Sequence, residues 1–288
     1  KIDAEYGDDW WFKVWGPDHL ADEGIGRADD WIIKGESRKG KAGVNWHGFG
    51  KLAPGFNMLD PIKSTIVTPG MDLNGKFAKT GIPASIVTKF LAEHGVVVEK
   101  TGLYSFFILF TIGITKGRWN TLLTALQQFK DDYAKNQPMW RILPEFCQQH
   151  PKYEKMGLAD LCQFVHQLYA KYDIARLTTD MYLSDLAPAM KPSDAFANIA
   201  RRKTERVEID KLEGRITVGL VTPYPPGIPL LIPGEVFNRK IVDYLKFARE
   251  FNAQCPGFGT DIHGLVTEED AQGKLRYYAD CVIKGSAD

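Results

Sequence analysis

Apolar residues along the chain fall into short runs punctuated by Gly and Pro, and their period changes from region to region. Trp10–Trp15 (WWFKVW) is aromatic and β-branched, the pattern of a strand. Residues 16–58 are rich in Gly, Asp and Lys and hold no sustained period, with one short strand expected at Trp31–Lys34. A structureless stretch of that length is uncommon inside a compact domain, which points to a functional loop or an interface. From Leu59 the pattern sharpens. Ile62–Thr68 predicts a strand, and Pro69-Gly70 and Asn74-Gly75 predict turns. Pro83 suits the first turn of a helix, whose apolar face is Ile82, Ile86, Val87, Phe90 and Leu91, and Gly95 stops it. Strands are expected at Val96–Thr101 and Tyr104–Ile112, followed by an amphipathic helix marked by Trp119, Leu122, Leu123, Leu126, Phe129 and Tyr133. This order predicts a small sheet with helices packed on it, an α/β or α+β layer.

The pattern changes at Asn136–Pro138, where a domain boundary is expected. Residues 139–203 read as mostly helical. Leu158, Leu161, Cys162, Val165, Leu168 and Tyr169 form one stripe, and Pro192-Ser193-Asp194 opens a later helix. Strands are expected at Glu205–Ile209, Ile216–Thr222 and Leu275–Ile283, with a helix over Ile241–Asn252. No internal repeat or low-complexity segment interrupts this mixed α+β second part.

With 288 residues, of which 44% are hydrophobic, the chain can hold a sizeable core as one large or two modest domains. Lys and Arg total 36, as do Asp and Glu, so the formal net charge is zero. That balance argues against nucleic acid or a membrane surface as a general partner and leaves little self-repulsion to oppose association. The nearly apolar run Leu103–Ile114 is too short for a bilayer span. The four cysteines, Cys147, Cys162, Cys255 and Cys281, show no CxxC spacing, and no Asn begins a glycosylation sequon. A cytoplasmic, reducing location is the expectation. The first residue is Lys1 rather than Met, so a cut from a longer protein is expected, and the small, polar Gly285–Asp288 is either a native tail or an added remnant.

Self-contained chemistry is scarce. There is no Gly-x-Gly-x-x-Gly, Walker loop, HExxH, Gly-x-Ser-x-Gly or EF-hand loop, and no pair of histidines has metal-ligand spacing. No catalytic residue and no metal site are assigned. His166, beside a helical stripe, reads as a packed core histidine. Glu99 follows Val96-Val97-Val98, a run that reads as a buried strand. A carboxylate at that depth requires a cation or hydrogen bonds. The chain emerges at Glu99, or the residue pairs with an internal Lys or Arg, or its partner is a ligand cation. The second constellation is Thr222–Glu235 (TPYPPGIPLLIPGE), whose five prolines predict a stiff loop able to hold Tyr224 in place. By spacing alone, a structural Tyr224 is the favoured reading. Arg201, Arg202, Lys203 and Arg206 fit a solvated helix end, with an anion site or an oligomer contact as the rival reading. Lys34–Lys41 reads as exposed loop.

Trp10–Trp15, Trp46–Phe49, Leu59–Lys63, Pro69-Gly70, Gly81–Ala84, His94–Gly102 (HGVVVEKTG) and Pro223–Pro229 (PYPPGIP) occur in order. In this arrangement the chain resembles the C-terminal portion of the bacterial ornithine/lysine/arginine decarboxylases, and among them the lysine and arginine branches. The similarity runs from about Trp10 to Lys284. These are pyridoxal-phosphate enzymes of the aspartate aminotransferase fold type. The resemblance implies a small aminotransferase-like domain over residues 1–136 and the family's own C-terminal domain over 137–288.

The implied activity is α-decarboxylation of a basic amino acid, lysine to cadaverine first and arginine to agmatine next. The cofactor, pyridoxal 5'-phosphate, acts as electron sink and is bound mainly by an upstream domain. That domain carries the Schiff-base lysine in a Ser-x-His-Lys type motif. No His-Lys pair occurs here, and Lys63 and Lys100 do not occupy the motif, so the chain alone is expected to be inactive. By resemblance Glu99 faces the distal amino or guanidinium group of the substrate, and Tyr224 lies near the active-site entrance. The family implies self-association as dimers and higher oligomers. Some lysine-specific members also bind a guanosine tetraphosphate alarmone, partly through the loop matching Gln137–Leu143, where Pro138 and Trp140 depart from the basic and amide pattern. Two other readings stand beside the enzyme: a structural and assembly module without chemistry of its own, and a nucleotide-binding module using Arg201–Arg206.

Overall fold

The computed structural model describes residues 10–16, 57–60, 62–72, 74–224, 227–273 and 275–285. The strand expected at Trp31–Lys34 and the loop Lys34–Lys41 lie outside these residues, as do Trp46–Phe49, Pro61, Pro225 and Pro226. The chain divides into two compact units, Lys1–Gln163 and Phe164–Asp288. Both combine antiparallel sheet with packed helices, the mixed α+β class that the order of elements predicts.

The first unit is built on a four-stranded antiparallel sheet. Its strands are β1 (Lys13–Val14), β2 (Lys63–Val67), β3 (Lys100–Thr101) and β4 (Ser105–Leu109), in spatial order β1-β2-β4-β3. The central pairing sets Ile66 opposite Phe106. Alternation in β4 buries Phe106 and Ile108. Helix α1 (Ala84–Glu93) buries Ala84, Ile86, Val87, Phe90 and Leu91, the stripe expected from the 3.6-residue period. Helix α2 (Lys116–Ala134) adds Leu122, Ala125, Leu126 and Phe129. The aromatics interlock edge to face: Phe129 lies 5.3 Å from Phe90 and 6.1 Å from Phe12 between ring centroids. Trp10–Trp15 therefore supplies only a two-residue strand, yet it buries Trp10 and Phe12 in this core.

The turn at Pro69-Gly70 requires glycine. Gly70 has φ +139°, and a Cβ there would stand 2.8 Å from the Gly81 Cα and collide with the Tyr104 ring. Beyond α2, Asn136 turns the chain back with φ 45°. Its Oδ1 accepts from Ala159 N at 2.9 Å and Asp160 N at 3.3 Å, so it caps a helix more than twenty residues downstream. Short helices α3 (Met139–Ile142) and α4 (Pro144–Gln149) follow, and then α5 (Leu158–Lys171). The division between the two units falls inside α5, whose stripe Leu158, Leu161, Cys162 and Val165 is fully buried.

The second unit contains α6 (Ile174–Tyr182), α7 (Pro192–Ala200), β5 (Thr204–Glu208), β6 (Thr222–Tyr224), α8 (Arg239–Gln254), β7 (Asp261–His263), β8 (Leu265–Glu269) and β9 (Leu275–Val282). Strands β5, β9 and β8 form one antiparallel sheet, and β6 and β7 a separate ribbon. Helix α8 packs on α6, is capped by Asn238 Oδ1 accepting from Ile241 N at 3.0 Å, and buries a face from Ile241 to Phe251. His166 is buried, as a core histidine should be. None of the four cysteines forms a disulfide, and all are buried. Burial pushes the Cys281 thiol up to about 12 and the Cys162 thiol higher still, so both stay protonated at neutral pH. Among the described residues no helix is long and apolar enough to cross a membrane.

Candidate functional site

Glu99 does not sit on a buried strand. Gly95 ends α1 in the left-handed region, at φ 74°, and Val96 N donates to Leu91 O at 2.9 Å. Val96–Val98 then runs as a connector with Val97 83% exposed. The β-branched run lacks a partner there, because pairing with β4 is confined to Lys100 opposite Phe107 and Thr101 opposite Phe106. Glu99 stands where that pairing begins. Its backbone N–H donates to Phe107 O at 3.0 Å, which fixes the backbone, while the side chain is exposed. Its carboxylate has no hydrogen-bond or ion-pair partner among the described residues. No internal pairing among the described residues places it. The chain emerges at Glu99, and the acid is left available to a cation from outside the described residues.

Tyr224 closes strand β6, in the second unit. The loop after it is pinned at several points. Val221 N donates to Leu231 O at 2.9 Å, Leu230 N to Val221 O at 2.7 Å, and Gly227 N to Pro223 O at 2.8 Å. The Tyr182 hydroxyl donates to Ile228 O at 3.2 Å. This is a held loop, as the prolines predict. Across the ribbon Tyr224 faces Asp261, and Thr222 faces His263. The buried face carries Pro223 and Ile262, leaving Tyr224, Asp261 and His263 exposed on the other. His263 is the diagonal neighbour of Tyr224, with ring centroids 4.4 Å apart, and its Nε2 lies 3.1 Å from Asp261 Oδ2. The Tyr224 hydroxyl has no partner among the described residues.

Asp261 and His263 were not among the expected site residues. The signal was present as the alternation Asp261-Ile262-His263 between Gly259 and Gly264, but a three-residue strand falls below the length at which a period of two is read. The basic cluster disperses. Arg206 bonds Asp280 at 3.1 Å and Glu268 at 2.8 Å, and Arg201, Arg202 and Lys203 sit exposed after α7 as a solvated helix end. Two clefts of about 310 Å³ each open on the surface, one beside Asn252 and Tyr277 and one beside His94 and Thr121. Neither is lined by Glu99 or Tyr224. Among the described residues no group of His, Cys, Asp and Glu could hold a metal ion.

Glu99 and Tyr224 belong to different compact units, and each unit matches a known protein module. Residues 2–118 match the Orn/Lys/Arg decarboxylase major domain, and residues 175–283 match the Orn/Lys/Arg decarboxylase C-terminal domain. The chain belongs to the Orn/Lys/Arg decarboxylase family. Among members of this family it is 44% identical to lysine decarboxylase LdcA of Pseudomonas aeruginosa, over 95% of this chain and 36% of that protein. It is 38% identical to the inducible lysine decarboxylase of Escherichia coli K12, over 92% of this chain and 36% of that protein. The solved structure of lysine decarboxylase A from Pseudomonas aeruginosa superposes with a TM-score of 0.85, at 44% identity, over 96% of this chain and 36% of that one. The chain therefore spans a little over a third of the length of the relatives it matches.

Proposed function

We propose that the chain forms the C-terminal part of a pyridoxal-phosphate-dependent basic amino-acid decarboxylase. Lysine, giving cadaverine and CO2, is the substrate, and arginine, giving agmatine, the alternative. The carrying observation is Glu99, an exposed carboxylate without a partner among the described residues, at the start of a sheet pairing that fixes its backbone. A carboxylate so presented binds the ammonium or guanidinium at the far end of the substrate through a charge-assisted hydrogen bond. Tyr224, on its held ribbon, is read as a residue near the active-site entrance of the parent enzyme. Residues 1–136 are the small aminotransferase-like domain and 137–288 the family's C-terminal domain. The two family matches leave residues 119–174 between them, an interval that includes this boundary.

The described residues do not fit the cofactor itself. No His-Lys pair occurs in the sequence. The buried guanidinium among them, Arg215, is already bonded to Glu205 and to Val282 O at 2.9 Å, leaving no buried cation free for a phosphate. The cofactor's electron sink is accordingly supplied by other parts of the parent enzyme, and this chain contributes recognition of the substrate's distal cation.

The test is direct. The purified full-length parent should release cadaverine from lysine or agmatine from arginine in the presence of pyridoxal phosphate. Release of neither removes the assignment. A second reading, an assembly module, draws on the exposed apolar side chains Leu183, Phe196 and Ile199 of the second unit. It predicts self-association of the isolated chain in sedimentation, and a monomer at all concentrations would remove it.

A further inference from the structure

We propose that His263, braced by Asp261, is a positioning residue that sets the orientation of the Tyr224 ring toward the substrate. The proposal rests on the reading of Tyr224 as a substrate-side residue and adds the device that holds it.

Three observations carry it. First, the ribbon register puts Tyr224, Asp261 and His263 on one face, with His263 diagonal to Tyr224 and their rings 4.4 Å apart at 37°. Diagonal partners across a ribbon meet when both carry rings. Second, Gly227 comes against the same ring. It has φ +78°, and a Cβ there would stand 2.8 Å from Tyr224 Cε1, so the loop folds back over the tyrosine only with glycine at this place. Third, the imidazole is itself held, because Nε2 lies 3.1 Å from Asp261 Oδ2 two residues back along the same strand. In its neutral form, with the proton on Nε2, His263 donates to that carboxylate, and its charged form does the same.

The ring of Tyr224 is 46% exposed. An exposed tyrosine ordinarily samples several rotamers, and binding through it then costs the entropy of choosing one. The imidazole and Gly227 remove that choice in advance while leaving the hydroxyl free. The Nε2 of His263 is engaged by Asp261, and its ring face by Tyr224. Its contribution is to affinity rather than to the bond-breaking step.

The experiment uses the full-length enzyme with 3-fluorotyrosine incorporated at position 224 and steady-state kinetics on lysine. His263→Ala should raise KM about threefold to tenfold, the range for loss of one ring pair, leave kcat within about twofold, and move the fluorine resonance. His263→Phe, which keeps the ring, should restore most of KM. Asp261→Ala should fall between wild type and His263→Ala. An unchanged KM and fluorine resonance in His263→Ala, with a raised KM in Tyr224→Ala, would overturn the positioning role alone. An unchanged KM in Tyr224→Ala would remove the substrate-side reading of Tyr224 and the proposal with it.

Discussion

The two candidate residues are presented in opposite ways. Among the described residues Glu99 is held through its backbone alone: one hydrogen bond to Phe107 O anchors it at the start of a two-residue pairing, and no described residue bonds the side chain. Tyr224 is held through its side chain, by the His263 ring and Gly227, at the end of a short ribbon closed by several loop hydrogen bonds. A carboxylate acts at a distance through its charge and tolerates a mobile rotamer. An aromatic ring acts through contact and is useful only in one orientation. The fold spends its local contacts where the chemistry demands orientation.

Four changes would break or sharpen this contrast. The largest effect belongs to the aromatic core of the first unit. Phe129→Ala should cost about 3–5 kcal/mol, read as a lowered denaturation midpoint, because it opens a cavity among Phe12, Phe90 and the sheet. If Glu99 is placed by the sheet, substrate KM rises in the same variant at temperatures where it remains folded. Gly227→Ala should cost about 1–3 kcal/mol, the range for a side chain forced into a strained backbone region. It should also raise KM through Tyr224, leaving the first unit's response to denaturant unchanged. A smaller loss, about 1 kcal/mol, is expected for Asn136→Ala, which removes the cap of α5. It should leave both candidate residues, and hence KM, as they are.

The smallest change is one of pH. The Arg249 guanidinium, bonded to Asp210 at 2.6 Å, holds that carboxyl below its usual range, with Lys246 adding to the effect. A carboxyl depressed in the folded state contributes stability above its unfolded pKa, near about 4, and loses it as pH falls through the folded value. Asp210→Asn should therefore lower the melting temperature at pH 7, and the difference from wild type should shrink on acidification. A difference that grows instead would reverse the assignment.

Much of this arrangement was legible in the residues. The helix faces at Ile86–Leu91 and Leu158–Val165 follow the 3.6-residue period because each faces a continuous core, Gly95 marks the end of α1, and Pro192 marks the start of α7, as their backbone preferences require. The failures have a common cause. Val96–Val98 has strand composition, but a strand exists only where a neighbour accepts its hydrogen bonds, and pairing with β4 begins two residues later. The β7 and β8 segments were missed for the converse reason. Asp261, His263, Glu268 and Glu269 give them the look of a loop, although pairing with β6 and β9 makes them strands. Glu99 was singled out by its place after Val96–Val98, and of the readings the residues allowed, the fold selects emergence of the chain there. His263 could not be found from spacing at all, since it meets Tyr224 across thirty-nine positions of chain.

The central claim is that Glu99 binds the distal cation of the substrate. Glu99→Gln in the full-length enzyme keeps the shape of the side chain and removes its charge. The account predicts a fall in kcat/KM for lysine of about tenfold to a hundredfold, the loss expected for one hydrogen bond to a charged group, with the cofactor's absorbance spectrum unchanged. A kcat/KM equal to wild type would contradict it.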